Sequence, residues 1–114
     1  MNFDLSEEQL LVKKTARDLA KKELYPNVLE RDEKKIWPKE AISKLADLGF
    51  MGMMVSEKYN GGGMDTISYV VAMEEISKID ASASVAMSVN NSLVCYLIEK
   101  FASDDLKIKY LTSL

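Results

Sequence analysis

The chain has 114 residues, 47% of them hydrophobic, and a formal net charge of −3. This length suits one modest domain. The apolar content is high enough to build a hydrophobic core, so a disordered chain is not expected. Acidic and basic residues alternate from end to end without the basic stripe that nucleic-acid binding requires, so no nucleic-acid partner is expected.

The first predicted element is a helix that begins after Ser6. Ser6 is a suitable N-cap, and Gln9 lies three residues on, which is the capping-box pattern. Pro26 disfavours helical geometry at Tyr25, so this helix is expected to end or kink there. Residues 27–35 predict a short second helix followed by a charged turn. The expected buried stripe of the first helix is Leu10, Leu11, Ala16, Leu19, Ala20 and Leu24.

A third helix is predicted from Pro38, because proline suits the first turn, to Gly49, because glycine suits the left-handed end of a helix. Its expected buried residues are Ile42, Leu45, Ala46 and Leu48. The stretch FMGMMVSEKYNGGGMD (50–65) is interpreted as a buried extended connection followed by an exposed turn at 59–63. NGGGMD lacks the patterns of a P-loop or a dinucleotide fingerprint, so its glycines are interpreted as turn residues.

Three further helices are predicted, capped by Asp65, Asp80 and Ser103. The fourth is expected to run to about Ile79 and to bury four apolar residues, Ile67, Val70, Val71 and Ile76. No segment alternates with period two. The sequence therefore predicts an all-α bundle of about five to six helices, mostly antiparallel, as a single domain over 1–114.

The residue types present exclude several kinds of site. Cys95 is the only cysteine and there is no histidine, which excludes an intrachain disulfide, a Cys/His zinc site and a Ser–His–Asp triad. Cys95 is expected to be a buried, inert thiol. Glu74 and Glu75 point about 100° apart on a helix, so they are interpreted as a solvated face with Glu74 paired to Lys78. Trp37 is expected to anchor the entrance of the third helix.

The sequence also shows no sorting signal and no membrane-spanning segment that we can recognise from composition. No apolar run approaches the roughly 20 residues that span a bilayer, and the N-terminus does not resemble a signal peptide. A cytoplasmic protein without a membrane partner is therefore expected.

The fifth helix carries an unusual polar insertion. Apolar residues recur on one face at Val85, Ala86, Val89, Leu93 and Leu97. Asn90, Asn91 and Ser92 interrupt its middle, although such side chains compete with the helix for backbone hydrogen bonds. Two interpretations stay open: ordinary core packing, or a boundary where the core meets a polar partner or a cavity.

Several segments together resemble the N-terminal helical domain of the acyl-CoA dehydrogenases. They are FDLSEEQ, ARDLAKKELYP, ISKLADLGFMGMMVSEKYNGGGMD, YVVAMEEISKIDASASVAMSVNNSLV and FASDDLKIKYLTSL. The resemblance runs in order over essentially the whole chain and is strongest to the short-chain (butyryl) branch.

The resemblance implies an FAD-dependent oxidoreductase of three domains, usually a tetramer. A glutamate base removes the α-proton of an acyl-CoA thioester, the β-hydrogen leaves as hydride to FAD, and an electron-transfer flavoprotein reoxidises the flavin. The middle β domain and the C-terminal helical domain are absent from this chain. We therefore expect no catalytic, FAD-binding or metal-binding residue here, and an inactive fragment that does not bind FAD tightly.

The resemblance also implies two surfaces on this domain. Val85, Ala86, Val89 and Leu93 would form a wall of the acyl pocket, with Val89 at its floor, and Asn90, Asn91 and Ser92 would lie at the edge of that wall against the missing domains. The electron-transfer flavoprotein would dock among the first, third and fourth helices, with Met51, Met53, Met54 and Tyr59 as exposed candidates. The alternatives are a stand-alone helical interaction module derived from the family and a truncated gene product without function.

Overall fold

The structure, a computed structural model, describes residues 2–114. Within that range it contains helices and turns and no β-strand. The α-helices are α1 (Glu7–Leu19), α2 (Val28–Lys34), α3 (Lys39–Asp47), α4 (Thr66–Ile79), α5 (Ala81–Phe101) and α6 (Asp104–Tyr110). The predicted all-α class is confirmed.

The helix ends follow the local signals in the sequence. The Ser6 Oγ accepts a hydrogen bond from the Gln9 N–H at 3.2 Å, and the Gln9 Oε1 accepts one from the Ser6 N–H at 2.9 Å, which completes the capping box. Gly49 ends α3 with a φ of +84°. The three other predicted caps also accept backbone N–H groups: Asp65 from Ser68, Asp80 from Ala83 and Ser103 from Leu106. Each predicted cap is confirmed.

The chain passes from α1 to α2 through two other kinds of helical turn. α1 passes into a π turn over Ala20–Leu24 and then a 3₁₀ turn over Tyr25–Asn27, which leads directly into α2. Pro26 lies in that 3₁₀ turn, where its missing N–H disrupts a regular α-helix. The prediction that the first helix ends or kinks at Tyr25 is confirmed as an end: a 3₁₀ turn begins there, and Asn27, with φ −133° and ψ 23°, separates the first helix from α2.

The main core lies between α1, α3, α4 and the first half of α5. Its buried apolar residues include Val12, Ala16, Leu19, Leu24, Leu45, Phe50, Met53, Tyr69, Ala72, Ile76 and Met87. The predicted stripes are confirmed in part: Ile42 is half-buried, and the fully buried members are Ala16, Leu19, Ala20, Leu24, Leu45, Val71 and Ile76. Six residues expected inside the core are exposed: Leu10, Leu11, Ala46, Leu48, Ile67 and Val70. The reason is that α1 meets α4 along Val12, Ala16 and Leu19, a spacing that fits one helix face better than Leu10 and Leu11 do.

The connection between α3 and α4 is a compact loop, so the prediction of an extended segment is wrong. The N–H groups of Gly62, Gly63 and Met64 donate to carbonyls of residues 52, 55 and 53 at 2.8–2.9 Å. A Cβ at Gly61 would lie 2.1 Å from the Val55 carbonyl oxygen, so this position requires glycine. The glycines do form a turn. Tyr59, expected to be exposed there, is buried in a second cluster with Val55, Cys95 and Leu111.

Among residues 2–114, one helix, Ala81–Phe101, is long and apolar enough to cross a membrane by length and composition alone. This corrects the expectation that no segment approaches that length. A single helix of this kind is weak evidence, because core helices of soluble proteins pass the same test.

Candidate functional site

The long helix α5 has one buried face and one open apolar face. Val85, Val89, Leu93 and Leu97 are 60%, 43%, 56% and 54% exposed, and we call these four residues the open face of α5. Ala86 beside it is half-buried. The opposite side packs Ala83, Met87 and Cys95 into the domain. The interpretation of the open face as ordinary core packing is therefore wrong within this chain.

A π turn lies in the middle of this helix. Residues Val89–Cys95 form the wider turn, with regular α-helix before it at Ala81–Ser88 and after it at Tyr96–Phe101. π turns inside α-helices are frequent at functional sites. Here the turn contains Val89 and Leu93, two of the residues predicted to line a pocket.

Asn91 lies at the centre of that turn and points into the domain. Its side chain is 3% exposed and makes three hydrogen bonds. Nδ2 donates to the carbonyl oxygens of Phe50 at 2.8 Å and Met87 at 2.9 Å, and Oδ1 accepts from the Met53 N–H at 2.7 Å. The placement of Asn91 at an edge facing other domains was wrong.

The neighbouring polar residues are also occupied within the domain. The Asn90 Nδ2 donates to the carbonyl oxygens of Met51 at 2.6 Å and Leu114 at 3.2 Å. The Ser92 Oγ donates to the Ser88 carbonyl at 2.6 Å. These half-buried side chains therefore bind the connection between α3 and α4, the carbonyl of Leu114 and the helix itself.

The start of α5 is fixed by a buried ion pair that the sequence did not reveal. Arg31 of α2 and Asp80 are both at most 7% exposed, and Nη2 lies 2.5 Å from Oδ2. The other oxygen, Oδ1, caps α5 by accepting the Ala83 N–H at 3.0 Å. Arg31 also donates to the Leu24 carbonyl and to Asn27. The partners are 49 residues apart, so no local pattern indicates the pair.

A cavity of about 560 Å³ lies beside this ion pair, lined by α2, the 35–38 turn and the α4–α5 junction. Trp37 is at its edge and is 58% exposed. The prediction that Trp37 anchors the entrance of α3 by burial is therefore wrong.

Glu75, and not Glu74, carries the charge network of α4. Glu75 is buried, and its carboxylate accepts hydrogen bonds from Nε and Nη2 of Arg17 at 3.1 and 3.2 Å and from Nζ of Lys78 at 3.1 Å. Glu74 is exposed. The hydrogen bond from Arg17, helped by Lys78, lowers the pKa of Glu75 to about 2 despite its burial. The pairing predicted for Glu74 is wrong, and a carboxylate so firmly ionised is a poor general base near neutral pH.

Neither the thiol nor the acidic residues form a further reactive site. Burial, and then Glu99, raises the pKa of the Cys95 thiol, which is 1% exposed, so the prediction of a buried thiol is confirmed. In the part of the chain from residue 2 to residue 114, no group of three Cys, Asp or Glu residues could hold a metal ion.

The glycine-rich loop does not fit a flavin phosphate site. The N–H groups of Gly61, Gly62 and Gly63 already donate to the carbonyls of Ser56, Gly52 and Val55. A phosphate-binding loop needs such amides to be free to point at the ligand. The residues of this loop therefore do not hold FAD by that means.

The proposed docking residues are less accessible than expected. Met53 and Tyr59 are buried, so the prediction that they are exposed is wrong. Met51 and Met54 are half-buried. A groove of about 500 Å³ does lie between α1 and α3. It is lined by Thr15, Asp18, Leu19, Lys22, Glu23, Lys44, Asp47 and Leu48.

Residues 2–114 thus form a helical domain with an open apolar face on α5. The family model "Acyl-CoA dehydrogenase, N-terminal domain" matches residues 6–114. The chain belongs to the acyl-CoA dehydrogenase family and corresponds to the N-terminal domain of its members.

Similar proteins point to the short-chain branch. The chain is 38% identical to "Acyl-CoA dehydrogenase, short-chain specific" of Clostridium acetobutylicum over its whole length, which is 30% of that relative. The butyryl-CoA dehydrogenase structure from Megasphaera elsdenii matches 98% of this chain and 30% of its own, with 39% identity and a TM-score of 0.90. A chain in a structure titled for the electron transferring flavoprotein of Acidaminococcus fermentans matches 98% of this chain and 30% of its own, with 40% identity and a TM-score of 0.94.

Proposed function

We propose that this chain is the N-terminal domain of an FAD-dependent, short-chain acyl-CoA dehydrogenase that oxidises acyl-CoA to trans-2-enoyl-CoA. The observation that carries the proposal is the open face of α5 in a chain that spans about 30% of the length of its relatives. Monomeric soluble proteins seldom leave a contiguous apolar surface of this kind uncovered. The remaining domains of a longer protein, together with the acyl tail, are the surfaces that would cover it.

In this proposal the chain shapes the pocket and does not carry out the chemistry. Val85, Ala86, Val89 and Leu93 would contact the acyl tail and exclude water from it. One methylene is worth about 1–3 kcal/mol in an apolar pocket, so the depth set by these side chains decides which chain length is preferred. The catalytic base and the FAD contacts would belong to the other domains, and the chain alone would be inactive.

Partners and location follow from the same proposal. An electron-transfer flavoprotein would accept the electrons and would dock at the groove between α1 and α3, where Leu19 and Leu48 lie among charged side chains. The complete protein would be a tetramer in the cytoplasm, without a membrane or nucleic-acid partner.

The test begins with the mass of the native protein in its own cells, measured with an antibody raised against this chain. A species several times heavier than 12.8 kDa is expected. When purified, it should show a flavin spectrum and oxidise butyryl-CoA with an artificial acceptor. A heavy species that contains no flavin and leaves butyryl-CoA unchanged would refute the enzymatic proposal.

A stand-alone interaction module is the second candidate, because the same open face would suit a protein partner. A native species of 12.8 kDa would favour it.

A further inference from the structure

The four residues of the open face follow one another at every fourth position, which a regular α-helix does not align. Four residues of an α-helix turn about 400°, so a residue at every fourth position drifts by about 40°. From Val85 to Leu97 the drift would reach about 120°, enough to turn Leu97 well away from the face of Val85. All four side chains are nevertheless exposed to a similar degree.

The π turn in the middle of α5 reduces this drift. Its i→i+5 hydrogen bonds hold more residues in each turn, so a four-residue step rotates the chain less than it does in an α-helix. The turn covers Val89–Cys95, which is the part of α5 where the drift would otherwise accumulate. The turn therefore brings Leu93 and Leu97 closer to the line of Val85 and Val89 than a regular α-helix would.

Side-chain donors support the turn from within the domain. Widening a helical turn disturbs the regular hydrogen bonds of the carbonyls before it. The Asn91 Nδ2 donates to the Met87 carbonyl and the Ser92 Oγ donates to the Ser88 carbonyl, one α-helical turn back in each case. Asn91 also holds Phe50 and Met53 of the neighbouring connection, so the turn is fixed in position as well as in shape.

We infer that Asn91 is a positioning residue for acyl-chain selectivity: through its three hydrogen bonds it holds the π turn that aligns Val89 and Leu93 along the acyl pocket. The inference rests on the proposed function and adds a determinant that does not touch the substrate. It also explains why asparagine stands in a helix at this point, where an apolar residue would leave the Met53 N–H and the Phe50 carbonyl unsatisfied.

The test uses the full-length, FAD-loaded protein and two variants, Asn91→Ser and the milder Ser92→Ala. Ser84→Ala is the matched control, because Ser84 is buried on the same helix, donates to the Ala81 carbonyl at 2.8 Å and lies outside the π turn. Two quantities are measured: hydrogen exchange of the amides of residues 89–97, and kcat/KM for butyryl-, hexanoyl- and octanoyl-CoA relative to bound flavin.

In Asn91→Ser we expect faster exchange across 89–97 and a rise of about three- to ten-fold in the hexanoyl-to-butyryl ratio of kcat/KM, because Val89 and Leu93 are no longer held along the pocket. Ser92→Ala should move both quantities in the same direction by less, and Ser84→Ala should move neither. A merely structural role would lower stability and total activity without changing the ratio.

The outcomes separate this inference from the proposed function. A wild-type protein that oxidises no acyl-CoA overturns the proposed function and the selectivity role with it. An active wild type whose folded Asn91→Ser or Ser92→Ala variants keep the chain-length ratio overturns the inference alone. Unchanged exchange over 89–97 in both variants overturns it as well, whatever the activity.

Discussion

Glu75 shows how one buried carboxylate can stabilise the contact between two helices. Its pKa in the folded chain, about 2, is below the ordinary value of 4.5, because Arg17 and Lys78 donate hydrogen bonds to the ionised form. A lowered pKa stabilises the folded state above pH 4.5, and this contribution is lost as the pH falls toward 2. Because Arg17 and Lys78 are half-exposed, the gain is on the order of 1–2 kcal/mol.

The corresponding prediction concerns acid unfolding of the 114-residue chain. Glu75→Gln should lower the free energy of unfolding at pH 7 and flatten its decline between about pH 5 and pH 2. Urea unfolding at a series of pH values measures both effects. Glu74→Gln is the control on the adjacent, exposed residue and should leave the profile close to wild type; equal profiles for the two variants would contradict the assignment.

Val89 is the residue at which pocket depth can be tested directly. In the full-length enzyme Val89→Gly should raise kcat/KM for longer acyl-CoAs relative to butyryl-CoA by about three- to ten-fold, because removing the side chain deepens the pocket. Steady-state rates with a series of acyl-CoAs provide the measurement.

The matched control is Val70→Gly, at a valine of α4 that is 55% exposed, which carries the same cost of about 1 kcal/mol for glycine in a helix but lies outside α5. If both glycine variants share the wild-type profile, Val89 does not set the floor.

At the scale of elements, the Arg31–Asp80 pair joins α2 to the start of α5. Removing one partner leaves a buried charge without compensation, which costs about 3–5 kcal/mol. We expect Arg31→Met and Asp80→Asn each to cost about 3 kcal/mol, although asparagine still caps α5. The double variant should cost clearly less than their sum, and urea unfolding of the four proteins in the cycle measures the difference.

Lys34→Met is the control for this cycle. Lys34 pairs with Glu30 at 3.0 Å on the surface, with both side chains about 60% exposed, so its loss should cost less than 1 kcal/mol. Strict additivity of Arg31→Met and Asp80→Asn would show that the two charges do not interact in the folded chain.

The same scale shows how far the sequence could predict the structure. Caps such as Ser6 and Asp80 were predictable because the side chain and the N–H that it accepts are three residues apart. The buried faces of α1 and α4 were predicted in part: Leu19 and Ile76 are buried, but Leu11 and Val70 are exposed, because the partner helix decides which of two adjacent apolar stripes is covered. Asn91 was misplaced for the same reason, since its partners at Met53 and Phe50 are 38 and 41 residues away.

The site was predicted less completely than the fold. Periodicity grouped Val85, Val89 and Leu93 on one face but could not decide between core and pocket, and only the folded chain shows that face uncovered. Their contact with an acyl tail stays a prediction. The π turn gave no periodic signal, although three consecutive polar residues in an apolar helix were an indication that backbone groups there needed partners.

At the scale of the whole molecule, the open face predicts how the 114-residue chain behaves alone. We expect it to self-associate at micromolar concentration, because the row from Val85 to Leu97 remains in water. Sedimentation velocity measures the association. Leu93→Glu should restore a monomer, whereas Leu11→Glu, at an equally exposed leucine of α1, should not; a wild-type chain that stays monomeric would contradict the expectation.

The open face also has a consequence for biosynthesis. In a protein as long as the relatives, this domain leaves the ribosome first, and the residues that follow it take tens of seconds to synthesise at about 5–20 residues per second. During that time the domain can fold, and the apolar row on α5 stays exposed to water. The nascent chain would therefore expose the apolar face of α5 early, and a holding chaperone that recognises apolar surfaces would bind there.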